Sequence, residues 1–593
     1  MRRAALGVVL VVLTALSIQL LVPASSEDAF VVESDVAVPM RDGVILRADV
    51  WRPRGEGPFP VLVYRTPYDR RGAPRDYTTF RRAVERGYAV VIQDVRGRYG
   101  SEGEFIAYQR EGKDGFDTIE WAARQPWSNG AVGTFGLSYP GAVQWLAAME
   151  HPPHLKAMVP AMTFSTPRNF FTSGGVADLS WIGWIWNNIA PDTRARKNLP
   201  GPKTGEEARA EWKRSADRLR GYLPLAELPE LKEVAPYYAA WLLHPPEDPW
   251  WEWCELRGKY DRVEAAVLNL SGWYDETYGP EGATTNFNGL ISARKGGPVR
   301  TALLMGPWVH GVDATAETSA GERSFSPAAR IEYDEVVLRW MDRYLKGIDN
   351  GVDREKPVKY FVMGANVWRE ADTWPPAGSK ITSLYLTVGA TGEKAGDLHW
   401  IKPESKDSSR TFVSDPVNPL TDPYQHSYGG HDYHALAGRP DVLIYDTPPL
   451  KADLEVTGPI TTEIHLSCDA PDTDLWVRLL DVAPDGTAFN LTNPGPDVLR
   501  ASYRDPARGR QLLEPGKVYA LRLTNAVTSN VFRRGHRIRV QISAAFFPHF
   551  SRNLHTGESE ATSSKMRKAT IRIHHDRARP SRILLPVVGP APR

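Results

Sequence analysis

Three residues of this 593-residue chain have the side chains and the local sequence that nucleophilic catalysis requires. The first is Ser138, in a segment (132–141) that predicts a strand, a sharp turn and then a helix. At such a turn the hydroxyl is exposed above the sheet, and backbone N–H groups at the helix start suit a developing oxyanion. Pro140 replaces the second glycine of the common Gly-x-Ser-x-Gly pattern, and Gly141 follows one place later. The string alone is therefore equally compatible with a structural serine at a tight turn.

The other two residues supply what a serine nucleophile needs, a base and a carboxylate that fixes the tautomer of that base. Asp275 follows a predicted strand that ends at Leu270, and His310 follows one that ends at Met305. Each of them alone is more typical of a solvated or capping group. The order Ser, Asp, His at strand ends is that of α/β-hydrolases, in which loops at the carboxyl ends of the strands carry the site. Together the three positions favour a catalytic triad.

Alternating strand and helix patterns predict the sheet that would position this triad. Over 33–160, short β-rich runs alternate with helical ones, which is typical of an α/β sheet. The runs at 60–64 and 88–92 are continuously apolar, as expected of strands buried on both faces. The same texture resumes over 258–350, and its last helix should end at Gly347. We therefore predict an α/β-hydrolase fold made of two separate parts of the chain.

Two regions differ from this pattern. Residues 161–257 contain eight of the 19 tryptophans and predict a helical lid insertion over a pocket, with most of these rings in its own core. Residues 351–593 alternate apolar and polar side chains between Pro/Gly-rich loops, and predict a β-sandwich or jelly roll. In one such run, Leu475 and Val477 alternate with Trp476 and Arg478.

The amino terminus has the pattern of a secretory signal. Two arginines precede an apolar stretch (4–22), which is followed by small residues up to Ser26. A membrane anchor is the alternative, because the stretch is near the lower limit of about 17 residues for a spanning helix. Polar residues within the stretch favour a signal peptide over 1–26 that is cleaved. We expect export to the periplasm or the medium, with no stable membrane span after cleavage.

Composition excludes several other classes of function. With 72 Lys+Arg against 71 Asp+Glu, the formal net charge is +1, so we expect no nucleic-acid partner. Cys254 and Cys468 lie in no spacing typical of zinc or redox sites. Three histidines in a loop (His426, His431 and His434) could suggest a metal, but no helix places two of them on one face, and we expect neither metal nor other cofactor. The sequence leaves homo-oligomerisation open.

At the level of whole motifs the chain resembles a known family. These are the serine hydrolases related to bacterial cocaine esterase, Xaa-Pro dipeptidyl-peptidases, glutaryl acylases and α-amino-acid ester hydrolases. The similarity covers nearly the whole chain after the signal. Its motifs are Met40-Arg41-Asp42-Gly43, Thr66-Pro67-Tyr68-Asp69-Arg70, Gln93-Asp94-Val95-Arg96-Gly97, Gly136-Leu137-Ser138-Tyr139, Gly272-Trp273-Tyr274-Asp275 and Gly306-Pro307-Trp308. Three further motifs fall in the last domain, at 529–532, 535–537 and 553–557.

The resemblance implies a role for each site residue. Ser138 would be the nucleophile, His310 the general base and acid, and Asp275 the group that orients it. The family also implies an oxyanion hole made of a tyrosine hydroxyl and the backbone N–H that follows the serine, which here correspond to Tyr68 and Tyr139. Such a phenol donor contributes about 3–4 kcal/mol of transition-state stabilisation in comparable sites. Without the resemblance, Tyr68 would be a loop aromatic packed on the sheet edge.

Substrate choice is less well defined by the resemblance. Phe170 and Trp184 align with lid residues that surround the acyl group in relatives. The α-amino-acid ester hydrolases bind an ammonium through acidic residues two and three places after the triad aspartate, where this chain has Thr277 and Tyr278. Glu276 is adjacent to Asp275, where we expect its side chain to point elsewhere. This difference favours an ester or amide hydrolase over a strict dipeptidyl-peptidase, although Asp178 of the lid could substitute.

Two other functions remain as alternatives at this stage. One is an Xaa-Pro dipeptidyl-peptidase that releases N-terminal dipeptides. The other, from another class, is a catalytically silent binding protein that uses the jelly roll to recognise carbohydrate or a surface partner. A silent homologue should have lost a member of the triad or the tyrosine, and all are present. We therefore expect an enzyme whose partner is a small ester, an amide or a short peptide.

Overall fold

A ten-stranded mixed sheet occupies the first part of the fold. The computed structural model describes residues 30–167, 171–295, 301–389, 395–493 and 498–590, so the predicted signal peptide and Phe170 lie outside the described residues. The strands before the insertion are β1 (Phe30–Pro39), β2 (Ile45–Pro53), β3 (Phe59–Thr66), β4 (Ala89–Asp94), β5 (Ser128–Leu137) and β6 (Leu155–Ala161). The helices here are α1 (Ala73–Asp76), α2 (Thr79–Glu85), α3 (Glu111–Ala123) and α4 (Tyr139–Met149).

The insertion is mainly helical, as predicted. A small strand pair, β7 (Thr172–Ser173) and β8 (Val176–Ala177), precedes the helices. These are α5 (Ser180–Trp184), a π-helical turn (Ile185–Ile189), α6 (Ala190–Lys197), α7 (Gly205–Gly221), α8 (Pro229–Lys232) and α9 (Pro236–Leu243). Short 3₁₀ turns lie at Leu225–Glu227, Pro249–Trp253 and Tyr260–Arg262. Several of its tryptophans, among them Trp181, Trp186 and Trp241, are buried in the core of this region.

The sheet resumes after the insertion and continues past residue 350. Its later elements are β9 (Ala266–Tyr274), α10 (Gly279–Arg294), β10 (Thr301–Val309), the small pair β11 (Ser319–Ala320) and β12 (Arg323–Ser324), α11 (Tyr333–Lys346), β13 (Val358–Val362) and β14 (Val367–Ala371). Two 3₁₀ turns lie at Asp313–Ala316 and Pro327–Ala329. Helix α11 ends at Gly347, whose φ of +71° suits a residue without a Cβ, as the sequence predicted.

The strand order explains why the candidate residues converge. It is β1-β2-β4-β3-β5-β6-β9-β10-β13-β14, and all pairs from β4–β3 to β10–β13 are parallel. Every residue of β4 and of β9 is buried, because helices or other domains cover both faces. The carboxyl ends of β3, β5, β9 and β10 therefore meet at one edge, where loops carry the site in α/β-hydrolases.

The rest of the chain is all-β, as the sequence predicted for 351–593, although its own sheet begins at residue 379 because β13 and β14 join the first sheet. Its strands are β15 (Ser379–Thr387), β16 (Ala395–His399), β17 (Ser409–Ser414), β18 (Leu443–Asp446), β19 (Leu454–Pro459), β20 (Thr461–Cys468), β21 (Asp474–Val482), β22 (Ala488–Asn490), β23 (Val498–Arg500), β24 (Val518–Leu523), β25 (Val527–Phe532), β26 (Arg537–Ser543), β27 (Ala569–His574) and β28 (Arg582–Val588). Three 3₁₀ turns lie at Tyr433–Gly438, Ala501–Tyr503 and Pro506–Arg508. All pairings except β16–β18 are antiparallel, and an aliphatic core lies between the layers.

Strand β21 is buried on both faces, whereas its alternating sequence is typical of a strand with one polar, solvent-exposed face. Trp476 and Arg478 are each only 1% exposed, although they alternate with the aliphatic residues of the core. The Arg478 guanidinium lies over the rings of Tyr433, Trp476 and Phe546 at 3.6, 4.1 and 4.3 Å. Loops of the jelly roll cover this face and continue toward the lid. Among the described residues, no helix combines the length and apolarity needed to cross a bilayer.

Candidate active site

Ser138 occupies a strained turn between β5 and α4. Its φ of +68° and ψ of −126° are rarely adopted by a residue with a side chain, and conformations of this kind cost about 1–3 kcal/mol. The turn is fixed from both sides, because the Ser138 N–H donates to Ala161 O at 3.0 Å and the Ser138 carbonyl accepts from Ala142 N at 2.8 Å. The surrounding sheet and helix thus hold the serine in the position that the sequence predicted.

Close packing explains the departure from the common glycine pattern. A Cβ on Gly136 would lie 2.6 Å from Pro140 Cβ, and one on Gly141 would lie 2.5 Å from Ala161 O. Glycine is therefore required at 136 and at 141, not at 140. Pro140 is in the first turn of α4, where its missing N–H removes no intrahelical hydrogen bond. The shifted glycine thus preserves the strand–turn–helix geometry.

Asp275 and His310 lie side by side beyond the ends of β9 and β10. His310 Nδ1 is 2.8 Å from Asp275 Oδ1, and the aspartate side chain is fully buried. This contact leaves Nε2 as the free ring nitrogen, which is the atom that serves as base in serine hydrolases. Ser138 and His310 line the same cavity, so the structure brings the three predicted residues together.

Two carboxyl groups act on the His310 imidazole. Burial opposes its protonation, but the charge of Asp275, its hydrogen bond and the charge of Glu276 outweigh burial, so the pKa of His310 is raised. Glu276 Oε2 accepts the His310 backbone N–H at 3.0 Å. Burial raises the pKa of Glu276 to about 7 despite the nearby His310.

The expected direction of Glu276 was therefore wrong. Its side chain lines the cavity beside Ser138 instead of pointing elsewhere. The reason is the turn after β9, where Asp275 Oδ1 accepts the Thr277 N–H at 3.1 Å and the His310 loop supplies a donor for Glu276.

Two donors can meet an oxyanion above Ser138. Tyr139 is the first residue of α4, and a first-turn N–H has no acceptor within its helix. The Tyr68 hydroxyl lines the cavity and accepts a hydrogen bond from Trp184 Nε1 at 2.9 Å. That bond uses a lone pair of Tyr68, so the phenol hydrogen is available to the site. Burial raises the pKa of Tyr68, which keeps the phenol protonated.

The Tyr139 side chain points away from the cavity and is anchored in the core. Its hydroxyl donates to Glu111 Oε1 at 2.8 Å and accepts the Tyr108 N–H at 3.0 Å. Glu111 in turn pairs with Arg65 at 2.9 Å, and all these groups are buried. Only the backbone N–H of Tyr139 is thus oriented for chemistry.

The cavity beside Ser138 has a volume of about 570 Å³ and is enclosed by three parts of the chain. The α/β domain contributes Tyr68, Asp76, Ser138, Glu276, Thr277, Tyr278 and His310; the lid contributes Asp178, Ser180, Trp181, Trp184 and Asn188; the jelly roll contributes Tyr428, His549 and Phe550. Trp184 therefore lies at the site, as its alignment suggested. Phe170 lies outside the described residues.

A second cavity of about 670 Å³ also borders Ser138. It also contacts Ser138, Tyr68 and His310, and residues of 66–77 and 309–321 form much of its wall. A serine between two cavities can hold the acyl part of a substrate on one side and its leaving group on the other.

The jelly-roll residues are the part of the site that sequence reasoning missed. His549 Nε2 is 2.6 Å from Asp422 Oδ2, and the His549 carbonyl accepts the Leu179 N–H of the lid at 2.8 Å. The motif resemblance covered this domain without indicating which loop faces Ser138. A His and an Asp 127 positions apart leave no local signal.

The three loop histidines lie in different environments. His426 and His434 are exposed, whereas His431 is buried and stacked on Tyr424 with ring centroids 4.2 Å apart. Within the described ranges, no group of three or more His, Cys, Asp or Glu side chains has the arrangement of a metal site.

Fold and site together define an α/β-hydrolase with a lid and an all-β C-terminal domain, and comparison with known proteins narrows this class. The profile of the X-Pro dipeptidyl-peptidase (S15 family) matches residues 42–312. The profile of the X-Pro dipeptidyl-peptidase C-terminal non-catalytic domain matches residues 350–584.

Individual relatives agree with this assignment. Cocaine esterase from Rhodococcus sp. (strain MB1 Bresler) is 32% identical over 94% of this chain and 98% of its own length. The chain belongs to the family of serine hydrolases that includes cocaine esterase and the S15 X-Pro dipeptidyl-peptidases. It is a hydrolase, which excludes the silent binding protein.

Two solved structures share the fold over nearly the whole chain. An aminopeptidase from the marine sediment archaeon Thaumarchaeota archaeon has a TM-score of 0.80 at 24% identity, over 95% of this chain and 97% of its own. An α-amino acid ester hydrolase has a TM-score of 0.79 at 24% identity, over 94% and 97%. Both include the lid and the all-β domain in the matched region.

Proposed function

We propose that this protein is an exported hydrolase of ester or amide bonds that forms an acyl-enzyme on Ser138. The observation that carries the proposal is that a serine at φ +68° lines the same cavity as a histidine held 2.8 Å from a buried aspartate. Its relationship to cocaine esterase favours an ester as the substrate.

The geometry supports the following reaction. Ser138 Oγ attacks the substrate carbonyl carbon while its proton moves to His310 Nε2. The carbonyl oxygen becomes negative and receives hydrogen bonds from the Tyr68 hydroxyl and the Tyr139 N–H. The C–O or C–N bond then breaks, and the leaving group takes the proton from His310. Water, deprotonated by the same histidine, attacks the acyl-enzyme and regenerates the serine.

A parallel kinetic assay tests this reaction. Purified mature protein would be assayed on a series of p-nitrophenyl acyl esters and on Ala-Pro p-nitroanilide, with Ser138→Ala as the control. We expect ester turnover that falls to the uncatalysed level in Ser138→Ala. Activity that survives in this variant, or no turnover of any ester or anilide, would contradict the proposal.

Release of N-terminal dipeptides is the second candidate function. Asp178 and Glu276 are two of the three carboxyl residues that line the cavity with Ser138. Burial raises the pKa of both, so an ammonium group between them would restore a favourable charge balance. The sequence placed no acid at the positions used by α-amino-acid ester hydrolases, and these two carboxyls could serve instead.

The amine requirement separates the two candidates. Turnover of Ala-Pro p-nitroanilide should exceed that of its N-acetyl form if the carboxyls bind an ammonium, and Asp178→Asn should remove the difference. If the esters are cleaved and neither anilide is, the dipeptidyl-peptidase is excluded. Equal rates on both anilides would show an amidase that needs no ammonium.

Export is a proposal that the amino-terminal sequence supports. The charged, apolar and small-residue regions of 1–26 have the order of a signal peptide. Expression of the full chain in a secreting host should give a mature protein that begins close to residue 27. Amino-terminal sequencing and cell fractionation would measure this, and an uncleaved protein in the membrane fraction would instead support the anchor.

A further inference from the structure

We infer that Tyr278 is a further catalytic residue, whose hydroxyl donates a hydrogen bond to the oxygen that becomes negative when Ser138 attacks the substrate. This inference rests on the proposed function, because it assumes Ser138 to be the nucleophile. It adds a second phenol to the oxyanion site. Tyr68 follows β3, whereas Tyr278 follows β9 and immediately precedes α10.

Tyr278 lies beside the proposed triad and lines the same cavity as Ser138 and His310. Burial raises the pKa of Tyr278, and a hydrogen bond with the Ser138 side chain partly offsets this, as it does for Tyr68. The Tyr278 backbone N–H donates to Asp275 Oδ1 at 3.4 Å. Its ring centroid is 5.9 Å from that of His310.

The phenol of Tyr278 is held from behind and lines the cavity in front. The Tyr108 hydroxyl lies 2.9 Å from it, and Tyr108 is itself only 1% exposed. The bond between the two hydroxyls lowers the pKa of Tyr278 and raises that of Tyr108, as expected when Tyr108 is the donor and Tyr278 Oη the acceptor. Tyr108 therefore donates, and the hydrogen of Tyr278 is directed toward Ser138 and the cavity.

The same arrangement holds Tyr68. Trp184 Nε1 has a hydrogen to donate and nothing to accept with, so its 2.9 Å bond must use a lone pair of Tyr68. Each phenol thus receives one donor from the side away from Ser138 and presents its own O–H to the nucleophile. Burial raises the pKa of Tyr278, which keeps the hydroxyl protonated.

The chemical step involves no proton transfer from either phenol. Ser138 Oγ forms a bond to the carbonyl carbon, and the π electrons of the carbonyl move to its oxygen. The Ser138 proton goes to His310 Nε2. The Tyr278 and Tyr68 O–H bonds stay intact and are polarised toward the new oxyanion, and when that oxyanion collapses the leaving group departs with the proton from His310.

The test compares Tyr278→Phe with Tyr68→Phe on a p-nitrophenyl ester. The phenylalanine keeps the ring and removes only the hydroxyl. We expect kcat to fall about 10–100-fold in Tyr278→Phe with KM almost unchanged, and about 10²–10³-fold in Tyr68→Phe, on the scale of single oxyanion donors. A boronic acid, which forms a negatively charged tetrahedral adduct with the serine, should bind Tyr278→Phe more weakly by a factor similar to the loss in kcat.

Tyr238→Phe is the matched control. Tyr238 is a buried lid tyrosine whose hydroxyl has no hydrogen-bond partner among the described residues. We expect its kcat and its boronic acid affinity to equal those of the wild-type protein. If Tyr278→Phe does not fold, Tyr108→Phe removes the donor behind Tyr278 instead, and its kcat should fall while its thermal midpoint stays near that of wild type.

Several outcomes would overturn the inference. In Tyr278→Phe these are an unchanged kcat, a higher KM with unchanged kcat, or an unchanged boronic acid affinity. In Tyr108→Phe, an unchanged kcat would do the same. If kcat and boronic acid affinity do not fall in these tyrosine variants but Ser138→Ala is inactive, the inference about Tyr278 fails and the proposed function stands. An active Ser138→Ala would refute the proposed function itself.

Discussion

Two histidine–aspartate pairs face the same cavity, one from each domain. His310 and Asp275 lie 2.8 Å apart beyond the parallel strands of the α/β domain. His549 and Asp422 lie 2.6 Å apart in loops of the jelly roll. The first pair is joined through Nδ1 and leaves Nε2 free, whereas the second is joined through Nε2 and leaves Nδ1 free. Both aspartates are almost completely buried.

The difference between the pairs lies in what surrounds them. His310 shares its cavity with a strained serine at the start of α4 and with two tyrosines, Tyr68 and Tyr278. His549 is packed against Phe546, with ring centroids 5.7 Å apart, and its carbonyl holds the lid at Leu179. A His–Asp pair becomes a base only where a nucleophile and oxyanion donors converge on it. The second pair instead forms part of the cavity wall and of the contact between the jelly roll and the lid.

The two pairs should differ most in their effect on kcat when each aspartate is replaced by asparagine. Asp275→Asn is expected to lower kcat on an ester about 10³–10⁴-fold, because His310 loses the partner that fixes its tautomer and stabilises its charge. Asp422→Asn should lower kcat by less than about tenfold, since it acts only through the cavity wall. Steady-state kinetics on one p-nitrophenyl ester measures both. Similar losses in the two variants would show that the second pair takes part in catalysis.

Breaking the second pair should instead affect stability. Burial opposes ionisation of Asp422, but the hydrogen bond and charge of His549 hold its pKa below the ordinary value of 3.8. His549→Leu leaves this carboxylate buried with weaker partners, and we expect the free energy of unfolding to fall by about 1–3 kcal/mol at neutral pH.

The pH dependence of this effect has a definite sign. A carboxyl with a lowered pKa stabilises the fold above its ordinary pKa, and this contribution is lost as the pH falls through the lowered value. The difference in thermal midpoint between the wild-type protein and His549→Leu should thus be large at pH 7 and shrink below about pH 4. A difference that is the same at pH 3 and pH 7 would contradict the role of the His549–Asp422 contact. His549→Leu combined with Asp422→Leu, which removes both partners, should recover part of the loss.

The α/β part of the site was accessible from the sequence because its geometry is local. Parallel buried strands end at one edge, so a residue just after a strand, such as Ser138 or His310, has a predictable place. The turn at Gly347 and the two-part sheet were likewise predictable from periodicity and glycine. These positions depend on the residues next to them in the chain.

The other walls of the cavity depend on contacts between distant segments. His549 lies at the site only because loops of the jelly roll dock on the lid, where Asp178 and Phe550 form an isolated β-bridge. Burial of Trp476 and Arg478 has the same origin, since a strand pattern of alternating residues carries no information about a covering loop. Glu276 was misplaced because a single turn, closed by Asp275, decides which side of the loop it faces.

The smallest expected effect concerns the additional carboxyl group that lies near the histidine of each pair. Glu276 adds its charge to that of Asp275 in raising the pKa of His310, against the effect of burial. Burial raises the pKa of Asp178, and its hydrogen bonds with Ser180 and then the charge of nearby His549 partly offset this. Because the base must be neutral, kcat/KM falls as the pH drops through the pKa of His310.

Glu276→Gln keeps an acceptor for the His310 N–H and removes the charge, so the pKa of His310 should fall and the acid limb of kcat/KM should move to lower pH by about 0.5–1 unit. The limb should also become steeper, because protonation of Glu276, whose pKa is about 7, opposes protonation of His310 and spreads the wild-type limb over a wider pH range. Asp178→Asn, which changes a carboxyl of the same cavity away from His310, should leave the limb in place. An acid limb that moves to higher pH in Glu276→Gln would contradict the effect of the Glu276 charge on the pKa of His310. An equal shift in Asp178→Asn would mean that nearness to His310 does not decide which carboxyl sets this pKa.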